Sequence, residues 1–200
     1  KDYPENHLSG AVFEVYADSN GDGKLDSKDE LLGTVTELTG GVYKMDNLLY
    51  GSYFVKEKTA PKGFILDEKA YSFSISENGK TVTVENEAGK GCYVNEAQKG
   101  TLKIVKTSSD GKVEGFSFKV TGPSGYAQTF VTDKNGEILI ENLRIGEYTV
   151  GEVGNDASAA YTLPADKQAT VQVGATTIVQ MHNDLKPVTP DIPKTGDTTN

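Results

Sequence analysis

Residues 106–120, KTSSDGKVEGFSFKV, repeat the layout of residues 1–15, KDYPENHLSGAVFEV: each begins on a lysine, reaches a glycine nine positions later, and runs on into alternating apolar residues. Farther along, DNLLYGSYFVKE places Gly51 six residues before Glu57, and ENLRIGEYTVGE places Gly146 six before Glu152. From lysine to glutamate the first copy measures 56 residues and the second 46, and an insertion at residues 18–30 accounts for the excess. A register kept at both ends identifies two copies of one domain. The boundary falls near Gln98–Gly100, giving domains 1–98 and 99–185 and a tail, 186–200.

The apolar runs are strand-like. AVFEVY, TVTEL, SYFVKE, AYSFSIS, TVTVENE, TLKIVK, FSFKV, EILIE, EYTVGE, ATVQV and TIVQMH alternate apolar with polar residues and are separated by Gly, Asn and Asp clusters, the pattern of a β-sandwich. ENGK at Glu77–Lys80 predicts a hairpin, because Asn-Gly accepts the positive φ angles of a type I′ turn. No amphipathic helix stands out. The expected fold is all-β, two tandem β-sandwich domains.

Twenty basic against twenty-nine acidic residues leave a net charge of −9, which repels nucleic acid and anionic membranes. No run of about 20 apolar residues is long enough for a bilayer span. With no starting Met and no apolar signal segment, the sequence suits a cytosolic protein or a piece of a longer one, and Lys1 as first residue favours a piece. Cys92, the single cysteine, has no internal disulfide partner.

Alternation says which way the odd residues point. Leu102, Ile104 and Lys106 share one face, as do Tyr148, Val150 and Glu152, then Val179, Met181 and Asn183, and in the first copy Tyr53, Val55 and Glu57. Each apolar face ends in a polar group. Taken alone, this fits either a buried ion pair or strand ends open to solvent.

The lysine on a first strand, then Leu8-Ser9-Gly10-Ala11-Val12-Phe13, then GxYxxxE followed by APKGF, resembles the B-type repeat domain of Gram-positive pilins and collagen-binding adhesins, over residues 1 to about 185. The resemblance implies an immunoglobulin-like, prealbumin-like β-sandwich in each of the two domains, in which a first-strand lysine is joined to a last-strand asparagine by a spontaneous isopeptide bond, promoted by a buried glutamate. It assigns those roles to Lys106, Asn183 and Glu152 in the second copy, and to Lys1 and Glu57 in the first. Two asparagines are open for the first copy. Asn86 lies 22 residues after Phe64, as Asn183 lies 22 after Tyr161, whereas Asn95 precedes the next domain's first strand in the manner of the family.

The insertion DSNGDGKLDSKDE sets Asp18, Asn20 and Asp22 at alternate positions, Gly23 at a sharp turn, Lys24 with its main-chain carbonyl, then Asp26 and Asp29, the oxygen-ligand spacing of an EF-hand or dockerin-type calcium loop. Calcium is the expected cofactor. His7 and His182 lack a nucleophile motif and suit the surface or a strand end, and Cys92 suits a half-buried strand. Glu5 in YPEN stands where a pilin polymerisation motif has its lysine, so that motif is not claimed.

The tail LKPVTPDIPKTGDTTN has three prolines and no strand pattern, which makes it an extended tether. Within it Ile192, Pro193, Lys194, Thr195 and Gly196 resemble the LPxTG sorting signal. That resemblance implies cleavage by a sortase after Thr195 and transfer to peptidoglycan or a pilin subunit. The expected function is a structural stalk of a wall-anchored adhesin or pilin on the surface of a Gram-positive bacterium, not an enzyme. The alternative is a module binding a host matrix protein or glycan through its loops.

Overall fold

A computed structural model describes residues 7–87 and 91–188, and the chain divides into two compact units, Lys1–Gln98 and Lys99–Asn200. Both are built of strands. The first holds β1 (Val12–Ala17), β2 (Glu30–Thr39), β3 (Val42–Tyr43), β4 (Gly51–Thr59) and β5 (Ala70–Ile75), hydrogen-bonded in the order β3-β2-β1-β4-β5. All neighbours are antiparallel. Phe13, Val15, Val35 and Val55 line one face with Ala11, and Phe13 meets Tyr43 and Tyr93 edge-on, with ring centroids 5.1 and 5.0 Å away. Val84 and Tyr93 pack on this cluster, so the segment after β5 covers the sheet.

Two expectations fail in that segment. TVTVENE forms no strand, and ENGK turns without a hairpin: Gly79 has φ +73°, but Asn78 does not join it at positive φ, so the turn is not type I′. The cover is held instead by the antiparallel bridge Phe64–Ala97 and by main-chain bonds from Ile65 to Glu96 and from Gln98 to Gly63.

The second unit is a two-layer sandwich. Its strands are β6 (Lys99–Ser108), β7 (Ser117–Gly122), β8 (Tyr126–Val131), β9 (Glu137–Arg144), β10 (Gly146–Val153), β11 (Tyr161–Thr162), β12 (Lys167–Val171) and β13 (Thr176–Leu185), with one 3-10 turn at Pro123–Gly125. One sheet runs β12-β10-β7-β8 and the other β11-β13-β6-β9. First and last strands of the unit lie side by side and parallel, Met181 opposite Lys106. Such a pair needs a long connection. Leu102, Ile104, Phe118, Val120, Val150 and Met181 are fully sealed between the layers.

The repeat is visible at matched atoms. Tyr53 and Tyr148 each donate a hydroxyl hydrogen bond to the main-chain oxygen four residues earlier, on Leu49 at 2.7 Å and on Arg144 at 2.9 Å. Each tyrosine begins the face that carries the glutamate.

Candidate functional site

Lys106 and Asn183 reach the second unit's interior by the same alternation that buries Leu102, Ile104, Val179 and Met181. Lys106 is 1% exposed and Asn183 0%. Glu152 arrives from the facing sheet, two residues beyond Val150 on β10. Asn183 Nδ2 donates to Glu152 Oε1 at 2.9 Å. Lys106 Nζ donates to the main-chain oxygen of Thr107 and sits 4.0 Å from the centroid of the Phe116 ring and 5.9 Å from that of Tyr161. Glu152 Oε2 and Asn183 Oδ1 are buried with no partner.

Burial pushes the Lys106 amine below its ordinary value, against the pull of the Glu152 and Asp110 charges. It pushes the Glu152 carboxyl up, against the Asn183 hydrogen bond and the Lys106 charge. Both shifts favour uncharged forms, since a charge in a water-poor interior is expensive. A neutral amine is a nucleophile, and a protonated carboxyl beside a carboxamide can supply and accept protons. The arrangement therefore holds the three groups that amide exchange requires.

Sequence reading missed the surroundings. Phe116 and Tyr161 meet edge-to-face at 5.4 Å and cover the amine, and the Tyr161 hydroxyl is pinned to Asp110 Oδ1 at 2.7 Å. Phe116 follows Gly115 at the start of the repeat, a usable signal; Asp110 sits in a polar turn that looks like any other.

In the first unit Glu57 is 1% exposed, opposite Phe13 on β1. Asn95 Nδ2 donates to both its oxygens, at 2.8 and 2.9 Å, and the Asp67 main-chain N–H donates to Oε2 at 2.9 Å. Burial raises the Glu57 carboxyl while these bonds oppose it. Asn86, although buried, spends its amide on Asp67 and Val94 instead. Pairing explains the choice: Phe64 bridges Ala97 as Tyr161 pairs with Leu185, which puts Asn95 in the place of Asn183, each two residues before its partner. Lys1 lies outside the described residues.

The insertion is the loop between β1 and β2, closed by the Ala17–Glu30 pair. Asp18 accepts from the N–H groups of Gly21 and Gly23 at 2.8 and 3.2 Å, and Asp29 from Ser19 and Asp26 at 3.0 and 2.8 Å. Gly21 and Gly23 take φ of +69° and +74°. Asn20 and Asp22 also accept loop N–H bonds, and Asp26 accepts from Lys28. The donors are all oxygens on a twelve-residue loop, which suits a hard cation. Among the described residues no three His, Cys, Asp or Glu side chains converge as a ready-made cage.

Cys92 is exposed and outside any strand, contrary to the expectation of a half-buried strand position. The strand pattern around it does not continue, so nothing turns its side chain inward. His7 is exposed and bonds Gly40, and His182 lies on β13 against Thr107. Residues 192–196 lie outside the described residues. No helix among the described residues is long and apolar enough to cross a membrane.

The family described as SpaA, prealbumin-like fold domain, matches residues 1–89 and 100–185. No curated protein matches. Among solved structures, the Bacillus anthracis TIE protein is similar with a TM-score of 0.62 and 21% identity, over 90% of this chain and 31% of that one. The C-terminal fragment of the pilus adhesin SpaC from Lactobacillus rhamnosus GG is similar at 0.55 and 15%, over 95% of this chain and 94% of the fragment. The pilus adhesin SpaC itself is similar at 0.57 and 16%, over 93% and 30%. The chain thus spans under a third of the TIE protein and of the whole adhesin. At these identities the likeness is one of fold.

Proposed function

The chain belongs to the family of SpaA prealbumin-like fold domains, and on that premise we propose that it is a structural stalk segment of a Gram-positive surface adhesin or pilin subunit, locked by intramolecular Lys–Asn isopeptide bonds. The observation that supports this reading is the burial of Lys106 on β6 and Asn183 on β13 in one interior, with Asn183 bonded to Glu152 of β10, whose second carboxylate oxygen is also sealed from water.

In the second domain the Lys106 Nζ lone pair attacks Asn183 Cγ. The Nζ–Cγ bond forms, the Cγ–Nδ2 bond breaks, and Nδ2 leaves as ammonia carrying a proton relayed by Glu152 from Nζ. Folding holds the reactants together, so no separate enzyme is needed. Each domain turns over once. The link joins first strand to last, so pulling on the chain ends cannot peel the sandwich open. In a loop-entropy treatment made for disulfides, such a closure restrains the unfolded chain by about 4–5 kcal/mol.

Intact mass tests the reading directly. Each bond removes one ammonia, about 17 Da, and Lys106→Ala should restore one such mass. A protein at its full sequence mass would refute it.

Two further assignments accompany the stalk. Calcium is held by Asp18, Asn20, Asp22, Asp26 and Asp29 with the Lys24 carbonyl, stiffening the loop between β1 and β2. Ile192–Gly196 is a sortase substrate through which Thr195 is attached to peptidoglycan or another pilin subunit, and incubation with a sortase and an amine acceptor should yield an adduct at Thr195.

A second reading, a module that binds a host matrix protein or glycan, is favoured by a groove of about 630 Å³ lined by Leu32, Met45, Leu49 and Tyr50, with Leu49 81% and Tyr50 68% exposed. Saturable binding lost in Leu49→Ala with Tyr50→Ala would support it.

A further inference from the structure

The two domains differ at the second carboxylate oxygen of the acid. In the first, the chain three residues past the Phe64 bridge reaches Asp67, whose main-chain N–H bonds Glu57 Oε2 at 2.9 Å. In the second, three residues past the Tyr161 pairing stands Pro164: Tyr161-Thr162-Leu163-Pro164 occupies the place of Phe64-Ile65-Leu66-Asp67. Proline has no N–H to give. Glu152 Oε2 is accordingly sealed from water with no donor, and so is Oδ1 of the asparagine that Oε1 holds.

An ionised oxygen without a donor is unfavourable in such a place, and a proton on the carboxyl relieves it. Glu57, by contrast, accepts three hydrogen bonds, each favouring its carboxylate. The groups around Glu152 are few. Lys106 approaches from β6 and neutral Asn183 from β13, Phe118 of β7 is its cross-strand partner, and Lys119 and Asp166 flank the neighbouring Gly151.

We propose that Pro164, by withholding a main-chain N–H from Glu152, keeps this acid protonated and so sets the rate at which the second domain closes its Lys106–Asn183 bond. Pro164 is a positioning residue that acts through Glu152. The inference rests on the crosslinking reading above. The protonated acid gives its proton to Nδ2 as the Cγ–Nδ2 bond breaks and regains one from Nζ as the Nζ–Cγ bond forms, so the carboxylic acid is regenerated and only ammonia is lost.

The test restores the N–H with Pro164→Ala. In a Lys106→Met background, where no bond forms, the Glu152 titration followed by carboxyl-carbon NMR should fall by about one pH unit in Pro164→Ala. With Lys106 present, loss of ammonia after refolding at neutral pH should slow about tenfold, as the protonated fraction falls tenfold per unit. Leu163→Ala, which loosens the same loop without adding a donor, should change neither. An unmoved Glu152 titration in Pro164→Ala, or equal slowing in Leu163→Ala, would overturn the role of Pro164. A Pro164 protein that never loses ammonia would sink the crosslinking reading instead, while the Lys106→Met titration would still decide what Pro164 does to Glu152.

Discussion

Burial pushes Lys106 toward the free amine, against the pull of the Glu152 and Asp110 charges; it donates to a main-chain oxygen and has aromatic rings beside it. Replacing it by methionine keeps the volume and removes the one side chain whose positive form pulls the Glu152 carboxyl down. The sign of the pH effect follows. The Glu152 value is raised above its ordinary 4.5, so its contribution is fully present below that pH and is lost as pH climbs through the folded-state value. Thermal unfolding of Lys106→Met should therefore show a more stable second domain near about pH 4 than near pH 7. Asp110 has the opposite sign. The Tyr161 hydroxyl, ahead of its other partners, holds its carboxyl down at about 2 from the usual 3.8. That contribution is present above the usual value and lost as pH falls through about 2. Acid unfolding monitored between these limits should be less steep in Asp110→Asn.

At the scale of elements, the glutamate faces depend on how their tyrosines are seated. Gly122, at the end of β7, is extended backbone, but a Cβ there would lie 2.4 Å from the Tyr148 ring. Tyr148 is 1% exposed and cannot move aside, so Gly122→Ala should destabilise the second domain by about 1–3 kcal/mol in denaturant titration. Tyr148→Phe, which gives up the hydroxyl bond to Arg144, should cost about 1 kcal/mol. Elements also show why one asparagine was ambiguous in sequence. Counting from Phe64 favours Asn86, but Asn95 is set by pairing with Phe64, and the chain between spans 31 residues where the second copy needs 22. A longer excursion leaves no trace in alternation. In YAQTFV, Ala127 and Gln128 interrupt the apolar rhythm, yet β7 supplies a complete partner edge and the segment is strand β8.

For the molecule as a whole, two closed domains would lose two ammonia molecules, about 34 Da in all, and a single loss abolished by Lys106→Ala would place the formed bond in the second domain. The proposed calcium loop, between β1 and β2, lies in the first domain. If the β1–β2 loop holds it, a chelator should lower the unfolding temperature of the first domain and leave the second unchanged, by the mass action that binding to the native state produces.

The amino-acid sequence by itself determined the all-β class, the doubling of the domain and the apolar face that each of Lys106, Glu57, Glu152 and Asn183 shares, because a strand's two-residue period and a repeated spacing are local properties. Tertiary structure alone decided that Asn95 rather than Asn86 faces Glu57, that Phe116 and Tyr161 roof the amine, and that Glu152 lacks the donor that Glu57 has. Those outcomes depend on which distant strands pair and in what register, and pairing is settled by the packing of the whole domain rather than by any segment within it.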